Sequence, residues 1–163
     1  EAVGLMTACE VAHYQYQCVT VEGVHAECVL TLGLSNATRI GQAPPPVLRA
    51  QEHGYQPDTI NCLVRVSSTL SALAQLEALS LITQARTAAL LATPWEHPHG
   101  SHGPVTGTGT DCIVLASALG APPQPYAGLY TAVGQAIGQA VYQATAQATH
   151  AWLARYITKE ACE

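Results

Sequence analysis

Between His13 and Gly33 polar and apolar residues alternate in two runs, HYQYQCVTV and HAECVLTLG, placed around Gly23. Side chains of a strand point alternately to opposite faces, so this period of two predicts a β-hairpin with one face turned to a core. The hairpin in turn demands covering elements. A third strand is expected at Thr59 to Val66 (TINCLVRV) and a fourth at Cys112 to Ser117. From Thr69 to about Ala92 the sequence is rich in Leu and Ala and lacks Gly and Pro. It follows Ser67-Ser68-Thr69, which offers N-cap hydroxyls, so a helix is expected there. It is apolar on more than one side, which predicts contact with the sheet and with a second element. A second helix is expected from about Thr131 to Ile157, on the order of 40 Å long at 1.5 Å per residue. Val133, Ile137, Val141, Ala144, Ala148 and Trp152 recur along it at three- and four-residue steps and form its apolar stripe. Gly134 and Gly138 in that helix permit close approach of another backbone.

The resulting order is three strands, a helix, a strand and a helix. It predicts an α+β fold with a mostly antiparallel or mixed sheet and two long helices packed against it, in two layers. With 163 residues, a single domain spanning 1–163 is expected. Two connections are long: Asn36 to Asp58, which contains Pro44-Pro45-Pro46, and Thr93 to Gly109. Loops of that length often cover a site.

Composition narrows the partners. The net charge is −5, with six Lys and Arg in all and no basic run, which argues against nucleic acid. No stretch approaches the roughly 18 to 20 apolar residues of a membrane span, and the first residues lack the pattern of a secretory leader. A cytoplasmic protein is expected. The six cysteines contain no CxxC pair, which disfavours a zinc ribbon. Cys18 and Cys28 flank the expected turn and could face each other as a cross-strand disulfide, against which stands a reducing compartment. Asn36-Ala37-Thr38 matches a glycosylation sequon, read here as coincidence. The small-residue stripe of the last helix also permits homo-oligomerisation.

The most unusual local pattern is Thr106-Gly107-Thr108-Gly109-Thr110-Asp111. If extended, it sets three threonines on one side, with glycines leaving the backbone open to a ligand. Amide hydrolysis needs a nucleophile, a base and donors for the oxyanion. Asp111 could be the base, Thr108 or Thr110 the nucleophile or orienter, and the Gly107 and Gly109 N–H groups the donors. The same residues also fit a tight bend with Asp111 capping the turn. His97, His99 and His102 form H-x-H-x-x-H, which either binds a metal or decorates a surface loop. Trp95, Trp152 and Tyr126 could stack on a macrocycle or fill the core and rim.

The segment TGTGTDCIVLAS resembles the corresponding block of the adenosylcobinamide amidohydrolase (CbiZ) family. So, in the same order along the chain, do VGLMTA, LTLGLSNATRIG, DTINCLVRV and PYAGLYTAVGQAIGQAVY. The resemblance implies hydrolysis of the amide joining the aminopropanol arm to the corrin ring, releasing adenosylcobyric acid for corrinoid salvage. No cofactor is implied, and the partner is a corrinoid. Members are typically longer at the amino end, so the resemblance implies a missing N-terminal portion. Matched positions give Asp111, Thr108, Thr110 and Asn36 as catalytic candidates. Ser35, Asn61, Thr106, Gly107, Gly109, Gly128, Tyr130 and Thr131 are the candidates for substrate binding. Asn36 could donate to an amide carbonyl, while Asn61, mid-strand, could orient a neighbour or satisfy an internal hydrogen bond. This chain departs from the family pattern where Leu129 and Tyr130 replace a basic residue and a histidine, and where Gln84 and Gln135 replace glutamates. Those departures raise the alternative of an inactive relative that binds a tetrapyrrole or corrinoid, or serves in protein assembly.

Overall fold

The computed structural model describes residues 2–43, 58–93, 95, 103–120 and 122–160, with side chains to Tyr156. The expected hairpin forms from β1 (Gln15–Val21) and β2 (Val24–Leu32). Its loop is two residues, Glu22 and Gly23, with φ of 48° and 80°. Positive φ at both positions is the geometry whose twist matches that of paired strands.

This loop length excludes the possible pairing of Cys18 with Cys28 across the hairpin. A two-residue loop pairs Cys18 with Glu27 and Gln17 with Cys28, one residue away from a hairpin centred on Gly23. A slip of one residue reverses the face of every side chain. Cys18 is therefore exposed and Cys28 buried, and both are free thiols. The neighbour of Cys28 is Cys62 on the next strand, with the sulfurs 3.6 Å apart. That contact and burial push the Cys28 thiol well above its ordinary range.

After β2 come β3 (Ala37–Thr38), β4 (Ile60–Val66), helix α1 (Ala72–Leu91), β5 (Gly107–Thr108), β6 (Cys112–Ser117) and helix α2 (Ala132–Glu160). The main sheet has the order β1-β2-β4-β6; β3 and β5 pair in a small separate ribbon. β1, β2 and β4 run antiparallel, whereas β6 lies parallel to β4. The parallel pairing follows from the connection, because α1 carries the chain back across the sheet. The architecture is thus α+β with a mixed sheet, as expected. The β3–β5 ribbon, two residues a side, was not expected.

One face of the sheet is covered by the helices. Ala26, Cys28, Leu30 and Leu32 of β2 and Ile60, Cys62, Val64 and Val66 of β4 are buried against them. From α2, Val133, Ile137, Val141, Ala144 and Ala148 meet that face, as the apolar stripe predicts. Trp152 ends the stripe in a cluster with Trp95 and Tyr156, its ring stacked on Tyr156 at 4.8 Å. Both tryptophans therefore pack with the core, while Tyr126 is exposed.

The cap of α1 is Ser71, whose hydroxyl accepts from Ala74 N at 3.1 Å, rather than the expected Ser67-Ser68-Thr69. Ser67 and Ser68 instead continue the pairing of β4 with its neighbours, Ser67 Oγ accepting from His25 N and Ser68 O from Ala118 N. α1 packs on α2 and β6, yet Leu73 and Leu76 stay exposed. The breadth of its apolar surface exceeds what its two neighbours cover. At the start of α2, a Cβ on Gly134 would collide with the carbonyl oxygen of Gly128. The close approach expected there is made to the preceding loop, and a Cβ on Gly138 would meet nothing within 4 Å.

Candidate active site

The threonine–glycine segment is not extended throughout. Thr106 N donates to Thr38 O and Thr106 Oγ accepts from Ile40 N at 2.8 Å, which holds the segment against β3. After β5 the chain turns at Gly109 and Thr110 and enters β6. Thr106 and Thr108 consequently line one cleft, together with Thr38, Arg86, Gly107 and Asp111. Thr110 lines a different cavity on the far side of the turn. The expectation of three threonines on one side fails because the turn interrupts the alternation.

Asp111 is the centre of the cleft. Its Oδ1 accepts from Thr108 Oγ at 2.6 Å and from Ile60 N at 3.2 Å. Its Oδ2 accepts from Thr108 N at 3.1 Å and pairs with Arg86 Nη2 at 3.2 Å. The two side chains of the ion pair are 9% and 11% exposed. A carboxylate offers about four acceptor directions, and all four are engaged. Gly107 is required by this packing, since a Cβ there would strike Asp111 Oδ2. The cleft measures about 210 Å³.

Arg86 is the member of this cleft that sequence reasoning missed. It lies in α1 among Leu and Ala, and a cation in so apolar a helix of a chain with six Lys and Arg was the available signal. Such residues are rarely fully buried unless paired. Among the described residues, its Nε has no hydrogen-bond partner, nor has Thr38 Oγ.

The other candidates stand elsewhere. Asn36 is buried at the turn before β3, and its Oδ1 has no partner among the described residues. Ser35 N donates to Asp58 Oδ2. Asn61 Nδ2 donates to Met6 O at 2.7 Å and so holds the N-terminal segment. Gly128, Tyr130 and Thr131 sit at the start of α2 and do not reach the cleft. Thr131 Oγ caps that helix, accepting from Gly134 N at 2.9 Å, and Tyr130 is 99% exposed. Of the four departures, Gln84 and Leu129 meet across a groove of about 430 Å³ between α1 and α2 that, among the described residues, no charged side chain lines. His97, His99 and His102 lie outside the described residues. Within those residues no three His, Cys, Asp or Glu side chains are grouped to hold a metal ion.

Two further cavities flank the turn. One of about 700 Å³ is lined by Leu5, Met6, Thr7, Thr59, Thr110 and Cys112. The second, about 320 Å³, brings Cys9, Glu10, His13, Asp58 and Arg155 together. Asp58 Oδ1 accepts from Cys9 Sγ at 3.5 Å, and burial, the largest influence on it, pushes the Cys9 thiol up. Thr110 O accepts from Thr59 Oγ at 2.8 Å, which ties the turn to the start of β4.

The family model for CbiZ, adenosylcobinamide amidohydrolase, matches residues 1–157. The chain belongs to the CbiZ family. The match runs from the N-terminal segment through β6 and most of α2, so the cleft around Asp111 and all three neighbouring cavities fall within the CbiZ region. No curated protein and no solved structure matches the chain. Among the described residues, no helix is long and apolar enough to cross a membrane.

Proposed function

We propose that this CbiZ protein hydrolyses the amide between the aminopropanol arm and the corrin ring of adenosylcobinamide, giving adenosylcobyric acid and aminopropanol. The observation that carries the reading is the 2.6 Å hydrogen bond from Thr108 Oγ to Asp111 Oδ1 at the wall of the cleft. A hydroxyl held on a carboxylate is the arrangement of a nucleophile beside its base. Thr108 Oγ attacks the amide carbonyl as its proton passes to Asp111, and an oxyanion forms. The C–N bond then breaks, the amine leaves with that proton, and water hydrolyses the resulting ester with Asp111 again taking the proton. Arg86 and the N–H groups of Ile60 and Thr108 hold the carboxylate in place during both steps. The larger cavity on the other side of Thr110 is the space we assign to the body of the corrinoid.

Incubation with adenosylcobinamide, followed by mass spectrometry for both products, tests the proposal. Thr108→Val should lower turnover by about 10²-fold or more, within the range for acid–base catalysis, and Thr108→Ser should retain it. Absence of product from the wild-type chain removes the reading. A second reading, a corrinoid-binding protein without turnover, is favoured by the full occupancy of the Asp111 oxygens and by the uncharged groove at Gln84 and Leu129. It requires a change in the visible spectrum of added corrinoid that mass spectrometry shows to be chemically unaltered.

A further inference from the structure

Helix α1 carries one row of side chains that the fold leaves uncovered. Leu76, Ser80, Gln84 and Ala88 follow one another at four-residue steps, and all four are exposed. Residues so spaced form a ridge along a helix surface, and Leu76, 66% exposed, is its most prominent member. The ridge is uncharged. Both charged residues of α1 are engaged within the chain, Glu77 accepting from Ala127 N at 2.7 Å and Arg86 pairing with Asp111 at 3.2 Å. At Gln84 and Ala88 the surface sinks into the groove of about 430 Å³ whose far side is Gly138 and Tyr142 of α2. Ala140 and Ala144, part of the small-residue stripe of α2, are buried in the core, so self-association is left to other surface.

The symmetry of the row selects its partner. Its midpoint is position 82, and a two-fold axis there sets Leu76 of one copy beside Ala88 of the other and Ser80 beside Gln84, each contact being made twice. Large meets small, which gives Leu76 the groove at Ala88 to enter. Ser80 and Gln84, hydrogen-bonded within the helix at 3.1 Å, meet their counterparts as polar on polar. Interlocking of four-residue ridges is the commonest class of helix crossing, at about −50°. A chain of net charge −5 meets its own copy there without opposing like charges, and no ion loses its water. An unrelated partner would need to supply this complement, whereas a second copy already carries it.

We infer that the protein pairs with a second copy of itself through α1, the two helices crossing antiparallel, with Leu76 of each chain seated in the groove of the other. Leu73 and Leu91, exposed at the two ends of α1, extend the contact. Thr83 and Thr87 line the Asp111 cleft and stand in the adjoining four-residue row, so the second copy borders that cleft.

Sedimentation velocity of the full chain between about 1 and 100 µM tests the pairing. The wild type should move as twice the chain mass at the upper end. Leu76→Ala leaves the groove unfilled, and Ala88→Leu fills it from within; each should weaken the dimer about tenfold. The double variant Leu76→Ala, Ala88→Leu exchanges knob and hole, and it should return the affinity to within about threefold of the wild type. Leu63→Lys, on the open face of the sheet, should leave the dimer unchanged. All these positions are exposed, and far-ultraviolet dichroism checks that each variant keeps the fold. A monomer at the highest concentration overturns the inference. So does a dimer that Leu63→Lys breaks and Leu76→Ala does not, or a double variant no tighter than the single ones.

Discussion

Asp111 and Arg86 form a buried pair, and each is present at the expense of leaving water. Removing one member strands the other. Asp111→Asn keeps the shape but leaves Arg86 uncompensated, and it should lower unfolding free energy by about 3–5 kcal/mol. Thr108→Val loses one hydrogen bond to a charged group and should cost about 1.5–3 kcal/mol; denaturant titration measures both. A loss of activity in an Asp111 variant is therefore interpretable only beside its stability, whereas Thr108→Ser separates chemistry from folding. The aspartate was legible in the sequence because glycines and threonines around it are conspicuous. Arg86 was not, since an apolar periodicity says which face is buried and does not say that one buried position holds a cation. Its pairing with Asp111 became visible only when the 111 turn and α1 were brought together in space.

At the scale of the elements, two glycines one turn apart in α2 should behave oppositely. Gly134→Ala pushes a methyl into Gly128 O and should destabilise by about 1–3 kcal/mol. Gly138→Ala meets nothing within 4 Å and should stabilise by about 1 kcal/mol through helix propensity; thermal melts distinguish them. On the open face of the sheet, Glu27 pairs with Arg65 at 2.8 Å and accepts from Tyr16 OH at 3.0 Å. Its carboxyl is lowered first by the Arg65 hydrogen bond, and the Tyr16 phenol is pushed up to about 12 by Glu27. The stabilisation from Glu27 is thus present above the ordinary carboxyl range and lost as pH falls through its lower folded value. That from Tyr16 is present below about 10 and lost as pH rises through about 12. Spectrophotometric titration should show a late tyrosine that Tyr16→Phe removes. Strand and helix positions were readable because alternation and the apolar stripe are local. Register was not: whether Cys18 meets Cys28 or Glu27 depends on one residue of loop, and Glu22 at φ 48° carries no strong sequence signal for a left-handed turn. The β3–β5 ribbon was unreadable for a related reason, as two-residue strands have no period.

For the whole molecule, buried side chains from all four strands' inner face and both helices form a continuous cluster, with β1 and β6 contributing partly buried members. We predict one cooperative unfolding transition, with tryptophan fluorescence and far-ultraviolet dichroism coinciding; two separated transitions would contradict a single folding unit over 1–163. The parallel placement of β6 beside β4 has a kinetic consequence. Asp111 receives Ile60 N from 51 residues earlier in the chain and Arg86 from a helix that must first cross the sheet. Contacts so distant along the polymer close late, after nearer ones have formed. A nascent or partly refolded chain with only its hairpin complete still has no paired aspartate, so competence for ligand is gained after the hairpin has formed and requires β4, α1 and β6 to have met.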